Sequence, residues 1–584
     1  LENLFVDYLN SMNNVGGNTI AALAESQVLS EYYEKIHIER VLGKYIANLI
    51  RSDRHIAFMI TGHAGDGKTS VLVQVLVELG LLEKKQPLQE ECTYQYQNTS
   101  LYTVKDMSEL HEEKQFEYFQ KAVTAPQHNG SSILISNTGP LLKCFEQLIS
   151  NDLQAEGKVF DEQEKNKLQN TILGQLDENH DDLITVGNYQ VMIINIARVD
   201  NVDFAEKALH KILQPELWSG CEACAKKDVC PIYNNVNLVR SNQERVASFI
   251  TSYYRYLYEH DKRMTIRQML AHLSYAITGN LTCQGISRKM QMPKFRHLFS
   301  NQFFGYRGLD PLEDASQIQG IAYANLMEMD AHSLNCDYQM FVTGDFRNLP
   351  SEIRCLALEQ YGIFNKRHLN VSETKEDHEK DRFYRRAIRR MYIMFGYDPE
   401  NVLFDELFGK GFQNYQTLIT APNTRTVRKS VERMILEALY MESTGVAAKR
   451  VNEIPLTLRR NDNMYQKVLV ISGKIKKDDL QIEVKKGSSR FDDNQDKKVL
   501  DLVICGRKRF RLTLPMVVYF EQLAEGAITT TENPTLTHGI SKLKTLLREC
   551  AENVQTDMIE VMLNKTDRAE YCKMEFSDGD LYFE

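Results

Sequence analysis

The sequence predicts an α/β core built on a parallel sheet, then a helical region, then a C-terminal α+β domain. Three observations carry that prediction. Continuous apolar runs alternate with helical stretches up to about residue 235, helix-period spacing dominates from there to 448, and two-residue alternation takes over from about Arg450. The 584 residues thus divide into an N-terminal helical segment (1–50), a core ending in a cysteine cluster (51–235), a helical region (236–448) and an α+β domain (449–584).

Composition supports a folded chain. With 43% hydrophobic and 26% charged residues, long disorder and collagen-like repeats are excluded, and only 13 prolines favours long helices. The net charge of −9, from 70 basic and 79 acidic residues, gives no bulk attraction for nucleic acid, so any such contact must come from a local patch. Eleven cysteines spread over this length suit a reducing, cytoplasmic setting better than a disulfide scaffold. No apolar run reaches the ~18 residues of a membrane span, and LENLFVDYLNSMNN lacks the basic start of a signal peptide.

The elements follow in order. IAALAESQVLSEYYEKIHIERVLGKYIANLI has apolar residues at three- and four-residue steps and reads as helix. IAFMIT (Ile56–Thr61) is a buried strand, followed by a glycine-rich turn and the helix KTSVLVQVLVELG, which Gly80 stops. LYTV (Leu101–Val104), SILIS (Ser132–Ser136) and YQVMIINI (Tyr189–Ile196) are further strands, and Asp152–Asp182 is a polar helical excursion. The charge run Glu373–Asp381 reads as a solvated face. In the last domain KVLVISGKI, DLQIEVKK, KVLDLVICGRK and RFRLTL alternate as antiparallel strands, and helices resume with LPMVVYFEQLAEG and ISKLKTLLRECAENV.

The strongest chemical signal is GHAGDGKT, Gly62 to Thr69, which fits G-x-x-x-x-G-K-[ST] between a buried strand and an apolar helix. Gly62, Gly65 and Gly67 let the backbone of His63, Ala64 and Asp66 wrap phosphate oxygens, and the helix that follows, with Ser70 in its first turn, offers unpaired N–H groups. Lys68 can reach β- and γ-phosphates and the Thr69 hydroxyl can ligate Mg²⁺. This makes the core a P-loop NTPase fold. Asp106, after LYTVK, is the candidate Mg²⁺ carboxylate, or else a helix N-terminal acid; Lys105 interrupts the usual apolar run before it. Glu109 either polarises the attacking water or completes a cap. Asn137, ending SILISN, either senses the γ-phosphate from an additional strand beside the P-loop strand or serves a turn. Arg198 is either a phosphate-facing arginine or an ordinary salt-bridge residue.

WSGCEACAKKDVCPIYNN places Cys221, Cys224 and Cys230 in a C-x₂-C-x₅-C pattern, as for zinc or an iron–sulfur cluster. Both take four ligands; Cys283 is the candidate fourth, with His210 and His272 as alternatives. Arg382, Arg385, Arg386, Arg389 and Arg390 line one side of a helix, where they either grip nucleic-acid phosphates or pair with the acidic run just upstream. RKRFR (Arg507–Arg511) marks an exposed strand face. Asp479 with Glu483-Val-Lys485 echoes a metal-dependent nuclease, or is simply a charged hairpin.

GHAGDGKTS, LYTVKDMSEL, ILISNTGPLL, CEACAKKDVCPIYNN, MTIRQMLAHLSYAITGNLTC and FRHLFSNQFFGYRG together resemble the DptF (DndF) family, P-loop proteins of bacterial DNA-phosphorothioation-dependent restriction. The resemblance spans roughly residues 55–310. It implies an ATP-binding or ATP-hydrolysing subunit of an antiviral, foreign-DNA defence complex, acting with DptG- and DptH-like partners on DNA without phosphorothioate marks. It also implies that Gly62, Gly65, Gly67, Lys68, Thr69 and Asp106 handle ATP and Mg²⁺. Two rival readings of the chain are a STAND-like signalling NTPase without DNA contact, and a nuclease with catalytic carboxylates in the C-terminal domain.

Overall fold

The computed structural model describes residues 2–13, 30–82, 86–178, 183–288, 294–368, 374–397, 402–421, 424–458, 468–487, 491–494, 496–527, 533–553, 558–565, 568–577 and 580–583. The expected helical turns at 20–29 and the end of the polar excursion at 179–182 lie outside them. Within the described residues no helix is long and apolar enough to cross a membrane.

The core sheet has six strands: β1 (Ala57–Thr61), β2 (Glu91–Tyr96), β3 (Thr99–Val104), β4 (Gly130–Ile135), β5 (Ile184–Val186) and β6 (Tyr189–Asn195), in the order β2-β3-β4-β1-β6-β5. Helices cover both faces, which is why the central strands are apolar throughout. Phe58 and Ile60 of β1 pack with Ile46 of helix Val41–Arg51 and Val71 and Val75 of helix Lys68–Glu78. Met59 faces the other way, with Phe119, Phe145 and Ile172 from three further helices. Burying one such side chain is worth about 1.5–3 kcal/mol.

The expected parallel sheet is in fact mixed. β3, β4, β1 and β6 run parallel, but the edge strands β2 and β5 pair antiparallel with β3 and β6. Both exceptions are tight hairpins whose turns need a left-handed residue, met by Gln97 (φ 51°) and Gly187 (φ 59°). β4 lies between β1 and β3, so the residues that follow β3 and β4 come out beside the loop that follows β1.

The chain forms two compact units. The first comprises Leu1–Tyr258, Arg263–Leu403 and the short return Ser489–Gln495. That return is stitched in: Phe491 is fully buried edge-on to Tyr45, and Asp492 accepts a 2.8 Å bond from the Asp200 N–H. The second unit comprises Glu259–Lys262, Phe404–Ser488 and Asp496–Glu584. Its helices Lys410–Thr420 and Arg425–Thr444, which the sequence reading grouped with the helical region, hold to the C-terminal elements instead. Gly411 N–H donates to Glu521 (2.9 Å) and Glu442 accepts from Tyr519 (2.8 Å). The second unit has a three-stranded antiparallel sheet over Leu480–Leu512 and a larger one that includes Val468–Lys476, Met558–Lys565, Arg568–Ser577 and Asp580–Phe583. The last three of these strands follow the final helices, in a stretch where the sequence reading named no element.

Candidate functional site

The loop between β1 and helix Lys68–Glu78 takes a conformation that glycine permits. Gly62, Gly65 and Gly67 have φ of 147°, 88° and 87°. A Cβ on Gly62 would stand 2.5 Å from Ile196 Cγ2, and one on Gly65 would stand 3.0 Å from Arg267 Cβ. The loop is pinned from behind. Asp66 is fully buried, accepts the His63 N–H at 2.9 Å and takes Arg263 Nη1 at 2.6 Å. The Arg267 N–H donates to Gly65 O at 3.2 Å. The Asp66 side chain therefore shapes the loop rather than facing a ligand.

In front of the loop lies a cavity of about 510 Å³, within the usual size range of ligand sites. Lys68, Thr69 and Ser70 line it, and so do Asp106, Glu109 and Asn137, brought in by the β1-β4-β3 neighbourhood. Lys68 Nζ curls back onto Gly62 O (2.8 Å) and His63 O (3.2 Å). Burial lowers its pKa, opposed by the nearby carboxylates of Asp106 and Asp66, while Arg267 adds to the lowering. Asp106 ends the β3 run as an N-cap, accepting the Ser108 N–H at 3.0 Å, which leaves its second oxygen uncommitted to the cap. Ser108 Oγ in turn accepts the Asn137 N–H at 2.6 Å, tying the ends of β3 and β4 together. The Asn137 side chain is exposed and makes no cap bond, although it stands at the N-cap of helix Thr138–Ala155. Glu109 is exposed at the rim.

Sequence reasoning missed the cationic and aromatic residues that complete this cavity. Arg40 is buried, with Nε 2.6 Å from the Asp493 carboxylate; its Nη1 and Nη2 have no hydrogen-bond partner among the described residues. Buried guanidinium donors without partners are costly unless something fills the space before them. Arg267, whose pKa burial lowers, lines the same cavity, with Tyr8, Tyr33 and Phe204 as aromatic walls. Arg40 and Arg267 lie outside the motif by sequence, and no spacing rule announces them.

No family model, curated protein or solved structure matches the chain.

The other candidate sites stand as follows. Arg198 pairs with Asp177 at 3.1 Å. Three of the five helix arginines are turned inward, contrary to the nucleic-acid reading. Arg390 is fully buried and bonds Asn301 (2.9 Å), Asp330 (2.8 Å) and Gly308 O (2.8 Å). Arg386 takes the other Asp330 oxygen at 2.6 Å, and Arg389 bonds Asp337 at 3.0 Å. Burial alone would raise the Asp330 pKa, but the two guanidiniums overcome it and hold the carboxyl below its ordinary value. Arg382 and Arg385 remain exposed. In the second unit Glu483 pairs with Arg509 at 2.6 Å, Asp501 with Arg511 at 2.8 Å and Lys508 with Glu549 at 3.0 Å. Of the nuclease-like residues Glu483 is thus neutralised by the RKRFR strand, while Asp479 accepts the Lys476 N–H at 3.2 Å.

His272 is not a ligand. It is fully buried between the Tyr254 hydroxyl and Phe303 O, both at 2.9 Å, and burial pushes its pKa down to about 4. His210 sits half-exposed beside Glu206. Cys221, Cys224, Cys230 and Cys283 are in no disulfide. Among the described residues no group of three or more His, Cys, Asp or Glu side chains is spaced to hold a metal ion.

Proposed function

We propose that the chain is an ATP-binding and ATP-hydrolysing P-loop protein of the additional-strand type, and that it serves as a subunit of a phosphorothioation-dependent restriction complex. The observation that carries the nucleotide reading is the convergence, on one cavity, of the glycine-shaped loop, Lys68, Thr69, Asp106 and Asn137 with the unpartnered Arg40 donors. The restriction role rests on the family resemblance of residues 55–310.

The chemistry follows from the residues. Lys68 exchanges its two loop carbonyls for β- and γ-phosphate oxygens, so its charge is held ready by bonds it can give up. The N–H groups opening helix Lys68–Glu78 add the positive end of the helix dipole. Arg40 and Arg267 supply further positive charge. The Thr69 hydroxyl and an Asp106 oxygen are the groups that hold Mg²⁺, which neutralises phosphate charge when bound. Asn137, its amide not engaged in capping, orients the γ-phosphate or the attacking water, and Glu109 at the rim polarises that water. Tyr8, Tyr33 and Phe204 offer apolar faces for a base.

The test is nucleotide binding and turnover by Lys68→Ala, with the DptG- and DptH-like partners present and with DNA carrying or lacking phosphorothioates. Loss of turnover is expected. Unchanged turnover overturns the site, and turnover that ignores both the DNA marks and the partners overturns the restriction role.

A further inference from the structure

Cys283 is far in sequence from Cys221, Cys224 and Cys230, yet one residue reaches both groups. Asn3 caps the N-terminal helix Leu4–Ser11, and its Nδ2 donates to Cys221 Sγ at 3.3 Å and to Leu217 O at 3.0 Å. The backbone N–H of the same Asn3 faces the Cys283 sulfur. Cys224 follows Cys221 through a tight turn, its N–H on Cys221 O at 3.1 Å. Cys230 stands at the N-cap of helix Pro231–Ser241, where the N–H groups of Ile232 and Tyr233 turn toward its sulfur. Burial raises the pKa of Cys221, Cys230 and Cys283, and each also feels the charge of other members of the set, Cys224 included.

Sulfurs gathered from two chain segments, three of them facing N–H donors, fit a ligand set rather than spare thiols. A neutral thiol is a weak acceptor, whereas a metal-bound thiolate is stabilised by such donors as an outer shell. No histidine competes: His272 is spent in the core and His210 has Glu206 as its neighbour.

We propose that Cys221, Cys224, Cys230 and Cys283 close on one thiophilic metal centre, a zinc ion or an iron–sulfur cluster, and that this centre fastens helix Leu4–Ser11 to the body of the first unit. Closure needs the side chains to turn inward from their present spacing. The helix is placed to respond. Phe5 packs edge-on to Trp218 at 5.5 Å in the helix bearing Cys221, and Asn10 bonds Thr278 Oγ1 (2.7 Å) and Leu281 O (2.8 Å) just before Cys283. From the same helix Tyr8 lines the loop cavity, with Met12 just beyond its end. The centre therefore sets one wall of the nucleotide site, a consequence that rests on the nucleotide reading; the metal itself does not.

Elemental analysis and absorption spectra of the full chain, purified without oxygen from metal-replete cells, test the centre directly. Zinc or cluster iron retained at one centre per chain is expected, with loss in Cys224→Ser and Cys283→Ser. A tetrahedral thiolate spectrum on Co²⁺ exchange marks zinc, and visible charge-transfer bands mark a cluster. Folded wild-type protein that carries neither metal and takes up no Co²⁺ overturns the proposal, whatever the variants do. Hydrogen exchange across residues 4–11, before and after chelation, tests the fastening: faster exchange is expected, and unchanged protection overturns that part. An about tenfold weaker nucleotide affinity after chelation is the expected coupling. If metal is present while nucleotide never binds, the nucleotide reading fails and the metal centre stands.

Discussion

Two cationic clusters in the first unit teach opposite lessons. Arg386, Arg389 and Arg390 are packed into five residues of sequence, and the protein answers each of them with Asp330 or Asp337. Lys68, Arg40 and Arg267 are scattered, yet they meet at a cavity where the Arg40 Nη atoms have no partner among the described residues and Lys68 holds only its own loop carbonyls. Density of charge in sequence says little about function. What matters is whether the fold itself supplies the counter-charge.

The comparison can be broken in four ways. Arg390→Ala leaves buried Asp330 with Arg386 alone and unpairs Asn301 and Gly308 O, and should cost about 3–5 kcal/mol, read by thermal or denaturant unfolding. A loss below about 1 kcal/mol would mean that the pair is not structural. Lys68→Ala should lower turnover on the order of 10²–10³-fold with little change in melting, the reverse pattern.

His272 sharpens the contrast as a buried group that is satisfied only when neutral. Its folded pKa of about 4 lies below the ordinary 6.5, so the unfolded chain binds the proton more readily. Stability is complete above about pH 6.5 and falls as pH drops toward 4, by at most about 3 kcal/mol. His272→Gln should flatten that slope, which unfolding measured across this range will show. The smallest effects belong to exposed Arg382 and Arg385. Alanine at either should shift stability by less than about 0.5 kcal/mol. Any salt-dependent DNA binding lost through this helix should be lost there alone, with a fall in salt slope of at most about two. Equal slope changes in folded Arg386→Lys would contradict the inward assignment.

Much of the core was legible because its signals are local. A strand, a glycine loop and a helix lie within 23 residues, Ile56–Glu78, and Asp106 and Asn137 each end a short apolar run. The antiparallel edges were not legible, because β2 is polar and its reversal depends on the backbone of Gln97. The arginine helix misled because its partners lie 52 to 60 residues upstream and leave no mark in its own periodicity. Arg40 and Arg267 were invisible for the same reason: a cavity gathers residues by topology, and a motif gathers them by spacing.

The contact between Asp66 and Arg263 spans 197 residues. It bears on where the chain can be cut. A recombinant fragment ending at 235, where the strands and helices of the core stop alternating, would omit Arg263, Thr265 and Arg267 together. Asp66 would then keep its burial and lose its counter-ion, and the turn at Gly65 would lose the amide that holds its carbonyl. The minimal autonomous piece that preserves the loop must therefore extend through the helix Ile266–Thr278.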